Sequence, residues 1–315
     1  MCSDFYYSPV GQSLGSQKID VETEVLEKSP ASLKSLAKTG FSSVYRTPPD
    51  FGVDHLAMDS VVDLRAAISD EIDMVVGVSS YSSNSPSWIY KIGSQLGLKS
   101  EARMIHIQDA CTGFISSMEI AKDAIESGTA KNVLVILSDT YSHYIHENPV
   151  LNMLFSDAAS AIIFSKDALP TQFSPKSHAW KVLSSVRSSN YGTQNSLYIE
   201  DGNLAMNGAA VYQFARKKIQ FLVERSLKDS NASKVDYWFV HQGSLAIVEA
   251  AATVLGLDLD ELFRASDYGN VVGSSIPFQL FTQERASHST LGILAFGMGL
   301  TSSCMIIEEQ ITGSS

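Results

Sequence analysis

Residues 104–137 read MIHIQDACTGFISSMEIAKDAIESGTAKNVLVIL. Met104 to Gln108 alternates apolar and polar residues as a strand does. From Thr112 to Ser127, Phe114, Ile115, Met118, Ala121, Ala124 and Ile125 recur at spacings of three and four, which predicts a helix with one apolar face. Gly128 supplies its stop, and Val133 to Leu137 is a strand with no polar face. Strand, helix and strand in succession is the unit of an α/β fold.

The same signals extend outward in both directions. Upstream, Asp73 to Val78 (DMVVGV) is a buried-strand run that opens into SSYSSNSPS, residues 79–87, where Ser85-Pro86 marks a helix start. Two short helices are expected over 30–39 and 59–69, and residues 1–60 are otherwise the least regular part of the chain. Downstream, Ala161 to Phe164 is a strand, and Pro170 and Pro175 bracket a polar stretch. That stretch divides the chain into halves of 1–168 and 177–315. The second half reads as strands over 181–186, 235–240, 291–295 and 305–307, with helices over 209–227 and 245–255. In each half a strand (DMVVGV or YWFVHQ) is followed by a loop (DACTG or YGNVVG), a second strand (VLVIL or LGILAF) and a short closing strand (AIIF or MII). The repeat is one of pattern and spacing. It predicts two α/β halves related by pseudo-symmetry, with mainly parallel sheets covered on both faces and one helix layer shared between two sheets.

Composition narrows the function. Of 315 residues, 44% are apolar and 18% charged, an ordinary globular balance. The net charge of −11 argues against a nucleic-acid surface and against docking on anionic lipid. Three cysteines make no disulfide framework, the first ten residues carry no secretory pattern, and no run of 18 apolar residues occurs. A cytoplasmic protein that contacts neither nucleic acid nor membrane is the expectation.

Cys111 follows a strand and opens a helix among small neighbours, Ala110, Thr112 and Gly113. A thiolate there gains from the positive helix end, which should lower its pKa and activate it. His241 ends the strand DYWFV, facing the usual ligand crevice of an α/β sheet. Asn270 lies in the turn-rich loop GNVVG. Gly297-Met298-Gly299 resembles the start of a dinucleotide loop, but too few residues follow for a βαβ unit. Such a loop aims backbone N–H groups at an anion instead. His143, His146 and Glu147 lack any zinc-site spacing, so no metal is expected. The order Cys, His, Asn is that of papain-like proteases, but the motif around the cysteine is absent. DACTG also misses the first glycine of a hydrolase elbow, where Asp109 stands.

Taken in order and spacing, DACTGF, VLVILSD, LFSDAASA, VHQ, GNVVGSSIP and AFGMGLT resemble the thiolase superfamily, most closely the β-ketoacyl-acyl-carrier-protein synthase III branch, over about residues 30–308. The resemblance implies a five-layer αβαβα sandwich of two duplicated halves. It implies that Cys111 is an acyl-accepting nucleophile, with the backbone N–H groups of Cys111 and Met298 as oxyanion donors. His241 and Asn270 would hold the carbonyl of a malonyl thioester while carbon dioxide leaves, and the enolate would attack the acyl-cysteine. Asn at 270 suits developing negative charge, which a carboxylate would oppose. Substrate contacts are expected from Phe296, Gly297 and Gly299 of the glycine loop. Ser85 stands where the family often has an aromatic gate to the acyl pocket, with Trp88 and Tyr81 beside it. Acyl thioesters are the implied substrates, with an acyl carrier protein and a second copy of the chain as partners and no cofactor.

Several positions depart from the family pattern. Ser244, Ala246, Gln213 and Pro149 stand where it has Asn, Arg, Lys and Arg, and LFSDAASA replaces LFGDGAGA. Arg216, Lys217 and Lys218 offer a substitute basic patch for carrier docking. These departures point to a specialised pathway. They also keep open acyl transfer to oxygen or nitrogen without decarboxylation, and a weakly catalytic subunit of a heterodimer.

Overall fold

An apolar strand with no polar face must be covered on both sides, and the chain meets this demand with helices. The computed structural model describes residues 4–28, 33–64, 69–81, 87–146, 148–170, 177–192 and 196–312. The first half comprises β1 (Phe5–Leu14), β2 (Gln17–Asp20), α1 (Val21–Lys28), α2 (Leu33–Thr39), β3 (Ser43–Arg46), α3 (Val53–Ser60), β4 (Met74–Val78) and α4 (Trp88–Leu96). It continues with β5 (Arg103–Ile107), α5 (Gly113–Glu126), β6 (Asn132–Asp139), α6 (Pro149–Asn152) and β7 (Ala158–Ser165). The second half holds β8 (Ser177–Ser189), β9 (Leu197–Glu200), β10 (Asn203–Met206), α7 (Gly208–Ser230), β11 (Tyr237–Val240), α8 (Leu245–Leu255), α9 (Ser275–Thr282), β12 (His288–Gly297) and β13 (Thr301–Thr312).

Nine strands join in the order β11-β12-β13-β8-β1-β7-β6-β4-β5. On one side of the β8/β1 seam lie β8, β13, β12 and β11; on the other lie β1, β7, β6, β4 and β5, in the matching order. Alternate residues sort to opposite faces. Val76, Val135, Phe164, Ile293 and Met305 point inward, to one cluster with Phe114 and Met118 of α5 and Ile276 and Leu280 of α9. Val75, Leu134 and Ile163 face outward beneath α3 and α4. Leu294, Cys304 and Ile306 do the same beneath α7 and α8. The five layers are therefore α3/α4, half-sheet, α5/α9, half-sheet and α7/α8.

Three expectations are corrected. The sheet is mixed rather than mainly parallel: β4 runs parallel to β5 and β6, and β11 to β12, but β7, β1, β8 and β13 are paired antiparallel. Apolar runs report burial on both faces, which says nothing of direction. The two half-sheets are also continuous, because β1 pairs with both β7 and β8. This strand lies in the stretch expected to be least regular. Pro9 and Gly11 break its pattern, and they coincide with a register shift between Pro9 and Gly11 that absorbs the proline. Finally, of the helix expected over 59–69, Asp59 and Ser60 close α3 and Val62–Leu64 form a 3-10 turn, while residues 65–68 lie outside the described residues. Ser85 and Pro86 lie outside the described residues.

At the seam, Tyr7 stacks on Trp180 with ring centroids 4.5 Å apart. Beside them Glu309, wholly buried, accepts from Arg285 Nε at 2.7 Å, Trp180 Nε1 at 2.8 Å and His178 Nδ1 at 3.0 Å. Burial alone would raise this carboxyl; the bonds from His178 and Arg285 overcome it and hold it at about 2, against 4.5 for free glutamate. The pairing thus contributes stability that is complete above about pH 4.5 and lost as pH falls through about 2. Removing one partner strands the buried Arg285 charge. Glu309→Ala should cost about 3–5 kcal/mol, read as an earlier urea midpoint at neutral pH.

Candidate active site

Cys111 sits in a 3-10 turn, Ala110–Thr112, just before α5, and its residue is 5% exposed. The turn is held by Thr112 Oγ1 donating to Asp109 O at 2.9 Å, and by Ser116 Oγ donating to the Asp109 carboxylate. Ala110 has φ +41°, in the left-handed region that costs a non-glycine residue energy. Across the molecule, the turn Val272–Ser274 precedes α9 in the same way, and Val272 has φ +51°. The duplicated halves thus present the same strained turn.

Asn270 is fixed from both sides. Its N–H donates to Leu154 O at 2.9 Å, and its carbonyl accepts from Ser156 N at 2.9 Å. Its Oδ1 accepts from Val272 N at 2.9 Å. That bond settles which end of the carboxamide accepts and leaves the Nδ2 end as the donor. His241 follows β11, donates its backbone N–H to Leu294 O at 2.8 Å, and is buried. Burial pushes its imidazole down to about 3, so the ring is neutral at physiological pH. Its Nδ1 meets no hydrogen-bond partner among the described residues. Gln242 staples the loop, donating its N–H to Ser275 Oγ at 2.8 Å and accepting from Ala265 N at 3.1 Å.

One cavity of about 730 Å³ is lined by Cys111, His241, Asn270, Phe296 and Gly297. A Cβ on Gly297 would stand 3.4 Å from Cys111 N and 3.3 Å from Thr112 N, so only glycine leaves the approach to those N–H groups open. The backbone turns over Met298–Leu300, with Gly299 at φ +71°. Ser244 and Ala246 of the departed motif also line it, with Lys38 and Glu249. Leu154, Leu197 and Met206 add apolar lining.

Three expectations about the site need correction. The Cys111 thiol is shifted up, not down: burial is the main cause, and the negative charge of Asp139 adds to it. The cysteine stands a turn ahead of α5, and a helix end's half charge does not offset full desolvation. Trp88 does not line the cavity. Its indole is wholly buried in the outer core, with Nε1 3.4 Å from His106 Nε2. Gly299 shapes the loop but is not part of the lining. Of the basic patch, Arg216 and Lys217 are exposed on α7, and Lys218 lies over the rings of Phe214 and Phe221. His143 Nε2 lies 3.0 Å from Thr47 Oγ1, Glu147 is outside the described residues, and the described residues hold no metal-ligating cluster.

Sequence reasoning missed the β9–β10 hairpin that supplies Leu197 and Met206. The signal was Asp201-Gly202 between alternating apolar residues; both have positive φ, +49° and +76°, as a type I′ turn requires. It also missed Asp139, wholly buried behind Cys111.

Because burial holds His241 neutral, its ring signals in NMR should show no protonation between pH 8 and about pH 5, where a free histidine titrates fully. Titration near the ordinary value would mean that the ring is open to water.

The chain is similar to proteins of one family. Residues 105–179 match 3-oxoacyl-[acyl-carrier-protein (ACP)] synthase III, and residues 227–308 match its C-terminal part. A β-ketoacyl-[acyl-carrier-protein] synthase III of Histophilus somni is 30% identical over 254 residues, covering 78% of this chain and 79% of the relative. The synthase III of Porphyra purpurea is 27% identical, covering 87% of this chain and 89% of its own. In structure, a 3-oxoacyl-(acyl-carrier-protein) synthase III superposes with TM-score 0.84 at 21% identity, over 96% of this chain and 99% of that one. Xanthomonas campestris OleA with bound lauric acid and lauroyl-CoA gives 0.79 at 16% identity, over 97% and 99%. The chain belongs to the β-ketoacyl-acyl-carrier-protein synthase III family of condensing enzymes, with the thiolase-like fold.

Proposed function

We propose that the chain condenses two acyl thioesters in a specialised lipid or polyketide-like pathway. The observation that carries this reading is the single cavity that joins Cys111, His241, Asn270 and Gly297 from both halves. Cys111 attacks the thioester carbonyl of a donor, and the Cys111 and Met298 N–H groups receive the oxyanion. The donor thiol departs and leaves an acyl-cysteine. A malonyl thioester then places its thioester carbonyl between His241 and the Asn270 carboxamide. Both are neutral donors, so negative charge can develop on that oxygen as carbon dioxide leaves. The enolate carbon attacks the acyl-cysteine, and the thiol of Cys111 is restored.

The mouth bears on the donor. Among the described lining residues Lys38 is the one cation, set against Glu249. A donor with fewer phosphates than coenzyme A suits this charge, as does a phosphopantetheine arm on a carrier protein. The basic positions lost at Ala246, Gln213 and Pro149 support a donor outside housekeeping fatty-acid initiation.

The second copy of the chain is proposed to cover β5. Among the described residues this edge strand is paired on one side only, by β4, and Met104, Ile105 and Ile107 are half-buried. An apolar edge left open is a template for further pairing. Light scattering should give twice the 34.2 kDa chain mass, and a particle of single mass would overturn the pairing.

Intact mass after incubation with acetyl to decanoyl thioesters, on coenzyme A and on pantetheine, tests the main reading. One acyl mass should appear, on the Cys111 peptide, and should vanish in Cys111→Ala. Asn270→Ala should keep self-acylation and slow carbon dioxide release from a malonyl thioester by about 10²–10³. Wild type that acylates but releases no carbon dioxide from any malonyl donor would give the reaction to simple acyl transfer.

A further inference from the structure

Asp139 ends β6 in register with Ala158 of β7. Val133, Val135 and Leu137 of the same strand face the inner helix layer, so by alternation Asp139 does too, beneath the turn that carries Cys111. Its Oδ1 accepts from Ser80 N at 2.7 Å. Its Oδ2, the Ser80 hydroxyl and the Tyr141 hydroxyl are all buried, and among the described residues none meets a partner in good hydrogen-bond geometry, although the Ser80 hydroxyl and the Gly273 N–H bear on the carboxylate and offset part of the effect of burial. A Cβ on Gly273 would stand 3.7 Å from Asp139 Oδ2 and 3.2 Å from Ala110 O, which puts the carboxylate within one residue's width of the Cys111 turn. Nothing in the condensation described above uses this group.

We propose that Asp139 and Cys111 share a single negative charge: the thiolate forms only as Asp139 takes up a proton, so Asp139 positions charge for the nucleophile without touching substrate. The proposal rests on Cys111 being the reactive thiol. In the exchange the S–H bond breaks and an O–H bond forms on the carboxyl; the pair keeps a charge of −1. On acylation the donor's C–S bond breaks, the Cys111 S–C bond forms, the departing thiolate takes a proton from solvent, and Asp139 gives up its proton to solvent, so the pair keeps its charge of −1.

The surroundings favour this arrangement. Among the described residues no Lys or Arg pairs with Asp139, and burial pushes its carboxyl up to about 7. Asp157 adds negative charge nearby, though its own oxygens accept from Thr47 and Ser142, with His143 behind Thr47. Tyr141 stays protonated, raised by burial and by Asp139. Asp109, on the nucleophile's own turn, lies 3.8 Å from Arg187. His241 is neutral throughout this range.

Two like-charged groups that cannot both ionise titrate as a pair. Once the pair has lost its first proton, the thiolate fraction is fixed by the ratio of the two singly ionised forms and no longer rises with pH. Alkylation of Cys111 by iodoacetamide, followed by mass of the Cys111 peptide in the whole protein, reads that fraction whether or not Cys111 ever carries an acyl group. In wild type the rate should rise roughly tenfold per pH unit below about 7 and flatten above it. In Asp139→Asn it should keep rising, exceeding wild type roughly tenfold at about pH 8 and roughly a hundredfold at about pH 9. Tyr141→Phe removes a hydroxyl from the same nook but no charge, and should keep the break. A wild-type rate that climbs straight through pH 7 would overturn the proposal, and needs no variant to fold. So would loss of the break in Tyr141→Phe, which would assign it to loosening of the nook. Failure to acylate, with the break intact, would sink the condensing role alone.

Discussion

The layer formed by α5 and α9 is the part on which the rest depends. Both helices lie between the half-sheets, and their apolar residues share one cluster with inward side chains of β4, β6, β7, β11, β12 and β13. Because each helix begins at the same end of the layer, the turns that precede them meet. Cys111 comes from one turn and Asn270 from the approach to the other. His241 reaches the same place because β11 ends beside β12, whose far end carries the glycine loop. The left-handed residues, Ala110 and Val272, each cost of order 1–3 kcal/mol. Burial of this central layer, continuous across the β1/β8 seam, is what holds them in place.

The reacting side chains that line the cavity are uncharged at rest in a chain of net charge −11. Cys111 is a thiol, His241 an uncharged ring, and Asn270 an amide whose oxygen is already occupied. Such a set presents neutral donors where an enolate oxygen would develop charge. The same burial that keeps His241 neutral makes Cys111 sluggish; one physical cause helps one half of the reaction and hinders the other.

Periodic stretches were legible in the sequence because burial writes them directly. The helix over 245–255 and the strands around 133–137 and 161–164 needed only spacing. β1 was not legible, since Pro9 and Gly11 interrupt its alternation at the very point where the ladder shifts. Placement of Cys111 at a helix start, His241 at a strand end and Asn270 in a turn-rich loop was legible, and all three meet in one cavity. The state of the thiol was not, because a helix-end argument is local while desolvation depends on everything packed above it. Asp139 escaped for a related reason: a polar residue closing an apolar run reads as the point where the strand leaves the core, yet here it stays wholly buried. Trp88 was read as a neighbour of the pocket from its distance in sequence to Ser85. The face of α4 that carries it turns the indole into the outer core.

Duplication raises the question of why only one half carries a nucleophile. The turns align with Ala110 opposite Val272, since each opens its 3-10 turn with positive φ and is followed three residues later by a helix. On that alignment Gly273 is the counterpart of Cys111. A Cβ there would come within 3.2 Å of both Ala110 O and Leu137 Cδ2, tighter than ordinary contact. The first half's turn thus occupies the space that a second nucleophile would need. Glycine at 273 lets the two turns approach, and its N–H bears on the Asp139 carboxylate behind Cys111. The second half carries no side chain at this position, and its turn backs the nucleophile of the first, so the duplicated fold supports one reacting centre rather than two.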